Sequence, residues 1–328
     1  RAPAFVFPNA GDHGYALSLL DTASVRWLER NIGGVDDALL RAMLWGAMWD
    51  LVREARLAPE RWVALAVREL PRERDEQIAA SILSRLVRAT RAYLAPARRD
   101  VVLPGVERML RAAATDSTRP YGIRKAHLDA LVVVAGSGAT LAWLDSLLDG
   151  AAVAGEPLRP PTRWSIVTTL VARGWPGADA RLAAETARDS TSDGARRAFV
   201  AGAARPDAET KRAYFTRWFA DSTLVEDWAT ASLGAFNGVD QQALTRPYLA
   251  AALDSLPWIQ RNRRIFFLGA WLDAFMSGQT DAAAARMVDA WLAAHPALAP
   301  DLRRKVLQYA DELHRTARIR GAWSGAVE

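Results

Sequence analysis

The chain has 328 residues, longer than a typical single domain, so its length favours two domains or one extended array. Hydrophobic residues make up 51% and charged residues 24%, as in ordinary globular proteins, and cysteine is absent. This composition excludes disulfides, thiolate metal sites and cysteine nucleophiles. No apolar run approaches the roughly 20 residues that span a bilayer, so we expect no membrane partner.

The net charge of +5 is carried almost entirely by arginine, since lysine occurs only at positions 125, 211 and 305. A pI near 9.9 is itself typical of nucleic-acid-binding proteins. Aspartate and glutamate are scattered among the arginines, however, and we therefore expect no nucleic-acid partner.

The first 21 residues differ from the rest in their periodicity. Phe5 and Phe7, and then Tyr15, Leu17 and Leu19, alternate with the period of two that is typical of strands. The polar and glycine-rich stretch between them has the composition of a turn. A lone hairpin cannot bury a face. Residues 1–21 are therefore interpreted as the remnant of a β-sandwich domain that ends here.

From residue 22 to 328 the apolar residues follow the helical period. The clearest stripes lie in residues 43–52, in residues 265–276 and in the aromatic group between residues 214 and 219. Capping residues and glycines separate about fifteen such segments with short loops. So many helices without strands predict an all-α, HEAT/armadillo-like superhelix, or solenoid, of stacked helix pairs. The thirteen tryptophans are expected in its core.

Catalytic and metal-binding patterns are missing from the sequence. Histidine occurs only at positions 13, 127, 295 and 314, so a His-Glu-x-x-His zinc motif cannot be formed. His127 lies near an apolar stripe and is expected in the core. Asp36 and Asp37 lack the third aspartate of an Asp-rich metal motif, and Asp36 is expected to cap a helix. We predict no catalytic residue and no metal ligand within the chain.

One acidic cluster stands next to arginines. Glu73, Asp75 and Glu76 alternate with Arg72 and Arg74. Because nothing in the sequence excludes water around these carboxylates, the cluster is interpreted as a charged helix start and not as a proton-transfer pair.

Several motifs resemble one family in their order and spacing. Asn9, Gly14-Tyr15 and Asp21 resemble the junction between the β-sandwich and the helical domain of aminopeptidase N-type zinc metallopeptidases. Arg41 to Asp50 is similar to the R-A-x-x-W-x-x-x-W-D helix of their bacterial members. Further matching residues are Ala184-Glu185, Asp189, Thr191, Gly194, Ala204, Pro206, Lys211, Gln242, Pro247 and Tyr248.

The resemblance implies that residues 22–328 are the C-terminal helical domain of such an enzyme. In that family this domain is shared with endoplasmic-reticulum aminopeptidases, and it caps the active site and shapes peptide access. The zinc and its ligands belong to an upstream catalytic domain, so no cofactor is expected in this chain. The implied partners are the chain's own upstream catalytic and β-sandwich domains, and peptide substrates on the concave face. Bacterial relatives imply a cytoplasmic location. The first residue, Arg1, is not methionine, so we expect a piece of a longer protein.

Four residues are predicted to have structural or interdomain roles: Asn9, Tyr15, Asp21 and Arg41. Arg41 follows Leu39 and precedes the stripe of Leu44 and Ala47, so its stem lies near an apolar face. We expect it to be buried and paired with a carboxylate or with backbone carbonyls. The alternative is an exposed arginine at a helix start.

Two other functions remain open from the sequence. The first alternative is a free-standing HEAT-like scaffold that binds another protein through its concave face. A basic helical-repeat protein of the alkylation-repair kind, which binds DNA, is the third possibility. A reading frame that continues upstream into a β-sandwich and a His-Glu-x-x-His motif would distinguish the aminopeptidase domain from both.

Overall fold

The structure is a computed structural model that describes residues 3–150 and 152–325. Within these residues the chain forms fifteen α-helices of ten or more residues, three shorter ones, and no β-strand. The predicted all-α class is therefore confirmed. The chain divides into two compact units. The first contains residues up to Val134, Val153–Gly155 and residues from Arg318 on, and the second contains Ala135–Ala152 and Glu156–Ala317.

In the part of the chain that the structure describes, the first unit contains six complete helices and the end of a further one, from Arg318 on. The complete helices are α1 (Thr22–Asn31), α2 (Ala38–Arg53), α3 (Pro59–Glu69), α4 (Glu76–Arg88), α5 (Pro96–Thr115) and α6 (Tyr121–Val134). Helix α3 packs against α5, and α4 packs against α6. Packing between alternate helices is what stacked helix pairs produce within this unit. The HEAT-like superhelix over the whole chain stays a prediction.

Aspartates begin several of these helices. Asp21 accepts a hydrogen bond from the backbone N–H of Ser24 at 2.8 Å, which caps α1. Asp37, and not Asp36 as expected, caps α2, and Asp75 caps α4. Each carboxylate satisfies backbone N–H groups that have no partner inside the helix, which stabilises the helix start.

The core of the first unit is rich in aromatic rings. Trp62 is fully buried, and its ring lies 5.6 Å from that of Trp45 and 5.1 Å from that of Trp49, both edge-on. Trp49 also stacks on Tyr93 at 5.4 Å. Such pairs contribute about 0.5–1.5 kcal/mol each beyond the burial of their area. They hold α2, α3 and the π-helical turn that follows α4 (Ala89–Tyr93) together.

The second unit contains the other helices. They are α7 (Gly138–Leu147), α8 (Pro160–Ala172), α9 (Ala178–Arg188), α10 (Ser192–Ala203), α11 (Ala208–Ala220), α12 (Glu226–Phe236), α13 (Gln242–Thr245), α14 (Leu249–Asp254), α15 (Leu256–Asn262), α16 (Ile265–Ser277), α17 (Ala282–Ala294) and α18 (Pro300–Ala322), of which α18 belongs to this unit as far as Ala317. Helices α8, α10, α12 and α16 pack successively against one another.

Four aromatic residues lie at the centre of this unit. Trp218 lies edge-on to Phe236 at 4.8 Å and to Trp271 at 5.5 Å, and Trp271 lies 4.6 Å from Phe275. The indole N–H groups of both tryptophans are satisfied: Trp218 donates to Ser232, and Trp271 donates to a backbone carbonyl of α14. Neither of these two buried indoles therefore leaves its N–H without an acceptor.

The hydrogen bonds and the close packing in the segment from Asp189 to Gly194 give a physical reason for one of the motifs noted in the sequence. Thr191 caps α10 by accepting from the N–H of Gly194 at 3.0 Å, and its hydroxyl donates to Asp189 at 2.7 Å. The indole of Trp164 donates to the same aspartate at 2.8 Å. A Cβ at Gly194 would lie 2.2 Å from the carbonyl oxygen of Asp189, so only glycine fits this close approach.

The predicted hairpin is not formed in residues 3–21, which consist of turns and extended backbone without strand pairing. Phe5 instead stacks on Trp27 of α1 at 4.6 Å, and the N–H of Val6 donates to the hydroxyl of Ser24. Tyr15 is fully exposed. The reason is that two strands without a partner layer bury too little apolar surface to pair stably. The predicted boundary at residue 21 stays a prediction.

Candidate functional site at the α1–α2, α3–α4 and α5–α6 loops

Arg41 lies at the start of α2, where its guanidinium links two interhelical loops. Its Nε and Nη2 donate to the two carboxylate oxygens of Glu73 at 2.9 and 3.0 Å, and its Nη1 donates to the carbonyl oxygen of Val35 at 2.7 Å. The side chains of Arg41 and Glu73 are only 15% and 6% exposed. The planar guanidinium thus forms a bidentate pair that a lysine could not reproduce.

Glu73 belongs to the α3–α4 loop and is held from several directions. Besides the two bonds from Arg41, its Oε1 accepts from the backbone N–H groups of Arg74 and Asp75, both at 3.0 Å. Burial acts to raise the pKa of Glu73, but the hydrogen bonds from Arg41 and from these amides outweigh it and lower that pKa. Glu73 is therefore a buried carboxylate and not the solvated helix start that the sequence suggested.

Two clefts flank the α3–α4 loop. The larger has a volume of about 530 Å³ and is lined by residues of the α3–α4 and α5–α6 loops, which are Pro71, Arg72, Glu73, Arg74, Asp116, Thr118, Arg119, Pro120 and Ile123. The smaller, of about 440 Å³, is lined by Gly33, Val35, Asp36, Arg41, Trp45, Glu69, Arg72, Glu73, Arg74 and Ile82. Three consecutive residues, 72–74, line both clefts, so this loop forms a ridge between them.

The far wall of the larger cleft is the α5–α6 loop. Asp116 follows α5 and accepts from the hydroxyl of Thr118 at 2.6 Å and from the Nε of Arg119 at 3.1 Å. These bonds, that of Thr118 first, lower the pKa of Asp116. Arg119 also donates to the carbonyl oxygen of Pro71 on the ridge. The carboxylate of Asp116 is thus already engaged inside the protein.

The other predicted structural residues lie in or next to the N-terminal segment. The side chain of Asn9 bridges residues 9–14: its Nδ2 donates to the carbonyl oxygen of Gly14 at 2.9 Å, and its Oδ1 accepts from the N–H of Gly14 at 3.1 Å. Tyr15 is fully exposed, and Asp21 caps α1. The structure does not bring Asn9, Tyr15 and Asp21 together with Arg41. Their interdomain roles stay predictions.

His127 and Lys211 are buried polar residues in the interiors of the two units. His127 is fully buried in α6, as expected, and its Nδ1 contacts the carbonyl oxygen of Ile123 at 2.7 Å. Burial lowers its pKa. Lys211, in α11, is also fully buried; its Nζ donates to the carbonyl oxygen of Ala203 at 2.8 Å and lies 5.0 Å from the ring centre of Phe236. Burial lowers the pKa of Lys211 to about 8.

The described residues offer no metal site. No group of three or more His, Asp or Glu side chains in residues 3–150 and 152–325 is arranged to hold an ion. The side chains present therefore do not fit a zinc ion. In the same part of the chain, no helix is both long and apolar enough to cross a membrane.

Sequence reasoning missed the role of Glu73. It lies 32 positions from its partner Arg41, in a loop whose fold is set by tertiary packing. The only signal was the expectation that Arg41 would pair with a carboxylate, which did not say which one.

Comparison with known proteins assigns the family. The model of the ERAP1-like C-terminal domain family matches residues 5–315 of this chain. The chain belongs to the ERAP1-like C-terminal domain family. The motifs described above, among them the capped turn from Asp189 to Gly194 and the helix that begins near Arg41, lie within the matched residues.

This ERAP1-like domain is also similar to aminopeptidase N from Streptomyces lividans. The two sequences are 29% identical over an alignment of 334 residues, which covers 99% of this chain and 38% of the relative. The chain thus spans less than two fifths of the length of that protein. Both comparisons confirm the family resemblance of the sequence motifs.

Proposed function

We propose that this chain is the C-terminal domain of a zinc aminopeptidase, that it closes over an active site built by other parts of the enzyme, and that it controls which peptides reach that site. The observation that carries the proposal is the match of almost the whole chain to 38% of aminopeptidase N. The zinc, the catalytic groups and the β-sandwich are expected in the remainder of the enzyme.

The sequence of the chain supports a role without chemistry of its own. Its four histidines do not form a His-Glu-x-x-His motif, which zinc peptidases of this type need for metal binding and general-base catalysis. A domain of packed helices can nevertheless act on catalysis through access, because closing a site excludes water and selects substrates by size. The proposed partners are the upstream catalytic and β-sandwich domains and peptide substrates. The expected cytoplasmic location stays a prediction.

A direct assay tests the absence of chemistry. The purified chain, supplied with zinc, is incubated with aminoacyl-nitroanilides, which release a coloured product on hydrolysis. We expect no turnover. Turnover that a chelator abolishes would overturn the proposal, because it would place a working metal site within these residues.

A second test separates the domain from a free-standing scaffold. The proposal requires that the reading frame continues upstream of Arg1 into a His-Glu-x-x-His motif. A start codon close to Arg1 would instead favour a scaffold that binds another protein.

A further inference from the structure

The ridge between the two clefts carries two arginines that are exposed to solvent. The side chain of Arg72 is 72% exposed, and its contact with Glu69 is long, at 3.5 Å. Arg74 is exposed, and within the described residues no hydrogen bond or ion pair engages its guanidinium. Both residues line the larger cleft.

The two carboxylates that line the larger cleft together with these arginines already have partners. Glu73 accepts four hydrogen bonds, from Arg41 and from two backbone amides. Asp116 is engaged by Thr118 and Arg119. Each of these two carboxylates neutralises the arginine that it already pairs with. Few of its acceptor positions are left for Arg72 or Arg74. The larger cleft therefore combines an electropositive rim with walls whose acidic groups are satisfied internally.

The ridge is also held in place before any ligand binds. Glu73 fixes the backbone of Arg74 through its N–H, and Arg119 holds the carbonyl oxygen of Pro71 on the other side. A fixed backbone lowers the entropic cost of binding, because only the arginine side chains have to become ordered. The cleft volume of about 530 Å³ lies within the range of small-ligand sites.

The smaller cleft is less suited to an anion. The exposed Asp36 lines it, and a carboxylate placed there would meet a like charge. An anionic ligand is therefore placed on the ridge and towards the larger cleft.

We propose that the larger cleft binds acidic side chains of a peptide, with their carboxylates paired to Arg72 and Arg74. The proposal rests on the proposed role in peptide access and adds a preference for acidic residues. Guanidinium groups suit this ligand because they pair with carboxylates bidentately.

Peptides blocked at both ends provide the test. An N-acetylated, C-amidated and fluorescently labelled peptide with two adjacent glutamates is compared with its double-glutamine analogue by anisotropy at low ionic strength. Blocked ends remove both terminal charges, so the comparison reports side-chain carboxylates alone. We expect the glutamate peptide to bind about fivefold more tightly, as two exposed charge pairs would provide. Salt should reduce that difference.

Two double variants of equal charge assign the effect to the cleft. Arg72→Gln with Arg74→Gln should abolish the preference for glutamate. Arg30→Gln with Arg56→Gln removes two exposed arginines that do not line either cleft, and should preserve it. All substitutions are at exposed positions, and unchanged melting temperatures establish that the variants are folded.

Equal binding of the two peptides by the parent chain would overturn the proposal. Equal loss in both double variants would also overturn it, because it would show an effect of net charge. These outcomes leave the role as an aminopeptidase domain untouched, since the blocked peptides report no catalysis. If the chain proved not to be an aminopeptidase domain, its preference for the glutamate peptide could still be measured on the isolated chain.

Discussion

Arg41 and Glu73 form a bidentate ion pair, with N···O distances of 2.9 and 3.0 Å, that joins the start of α2 to the α3–α4 loop. Both side chains are largely buried, and Arg41 also holds the carbonyl oxygen of Val35. One guanidinium thereby connects the α1–α2 loop with the ridge between the two clefts. The ridge that we propose as a peptide contact depends on this pair for its position.

Removal of Arg41 should destabilise the chain strongly. Arg41→Ala leaves the buried carboxylate of Glu73 without its main partner, and such losses cost about 3 kcal/mol or more. The matched control is Arg61→Ala, which breaks the more exposed pair with Glu29 and should cost less than about 1 kcal/mol. Urea unfolding measures both. An Arg41→Ala variant as stable as the control would show that the pair contributes little.

Lys211 should make the stability depend on pH in the alkaline range. Its pKa in the folded chain is about 8, below the ordinary value of 10.5. Between these values the unfolded chain binds more protons at this lysine, so the free energy of unfolding rises with pH. Below pH 8 the full cost of the buried charge, about 3 kcal/mol, is present. Lys211→Met lacks this cost.

The measurement is the difference in unfolding free energy between Lys211→Met and the parent at several pH values. It should favour the variant most at pH 7 and shrink steadily towards pH 10. Lys125→Met, which removes a partly exposed lysine paired with Asp129, is the control and should show no comparable change over pH 7–9. If the difference in unfolding free energy between Lys211→Met and the parent did not change with pH, the lowered pKa of Lys211 would be contradicted.

Gly194 and Gly46 should respond in opposite ways to alanine. A Cβ at Gly194 would meet the carbonyl oxygen of Asp189 at 2.2 Å, so Gly194→Ala must displace the start of α10 and should cost about 1–3 kcal/mol. Gly46 lies within α2 with no atom within 4 Å of a built Cβ, so Gly46→Ala should stabilise by about 0.5–1 kcal/mol. Thermal melts of the two variants decide this, and a stable Gly194→Ala would remove the physical reason given for that motif.

The sequence predicted the helical fold well where the apolar period was long. The stripe in residues 43–52 is buried in α2, and that in residues 265–276 is buried in α16. The predicted hairpin does not form in residues 3–21, because alternation over a few residues gives two strands no second layer to pack against. Phe5 found its partner in α1, through a stacking contact with Trp27 that no local pattern encodes.

The candidate site was less predictable than the fold. A buried, paired arginine could be expected at position 41 because its aliphatic stem lies beside the apolar stripe of α2. Its partner Glu73 could not be identified, because in the sequence that glutamate looks like any charged helix start. The clefts on either side of residues 72–74 arise from three loops that are distant in the chain and meet only through packing. The local sequence pattern contains no information about which loops pack together.

We propose that residues 22–328 govern peptide access without taking part in the chemistry. The most direct test compares the complete gene product with a version that ends before Thr22, by measuring kcat/KM for an aminoacyl-nitroanilide and for a series of peptides of increasing length. We predict that both proteins hydrolyse the nitroanilide and that the discrimination between peptide lengths is lost in the shortened one. Identical length discrimination in the two proteins would contradict the proposed role of these residues.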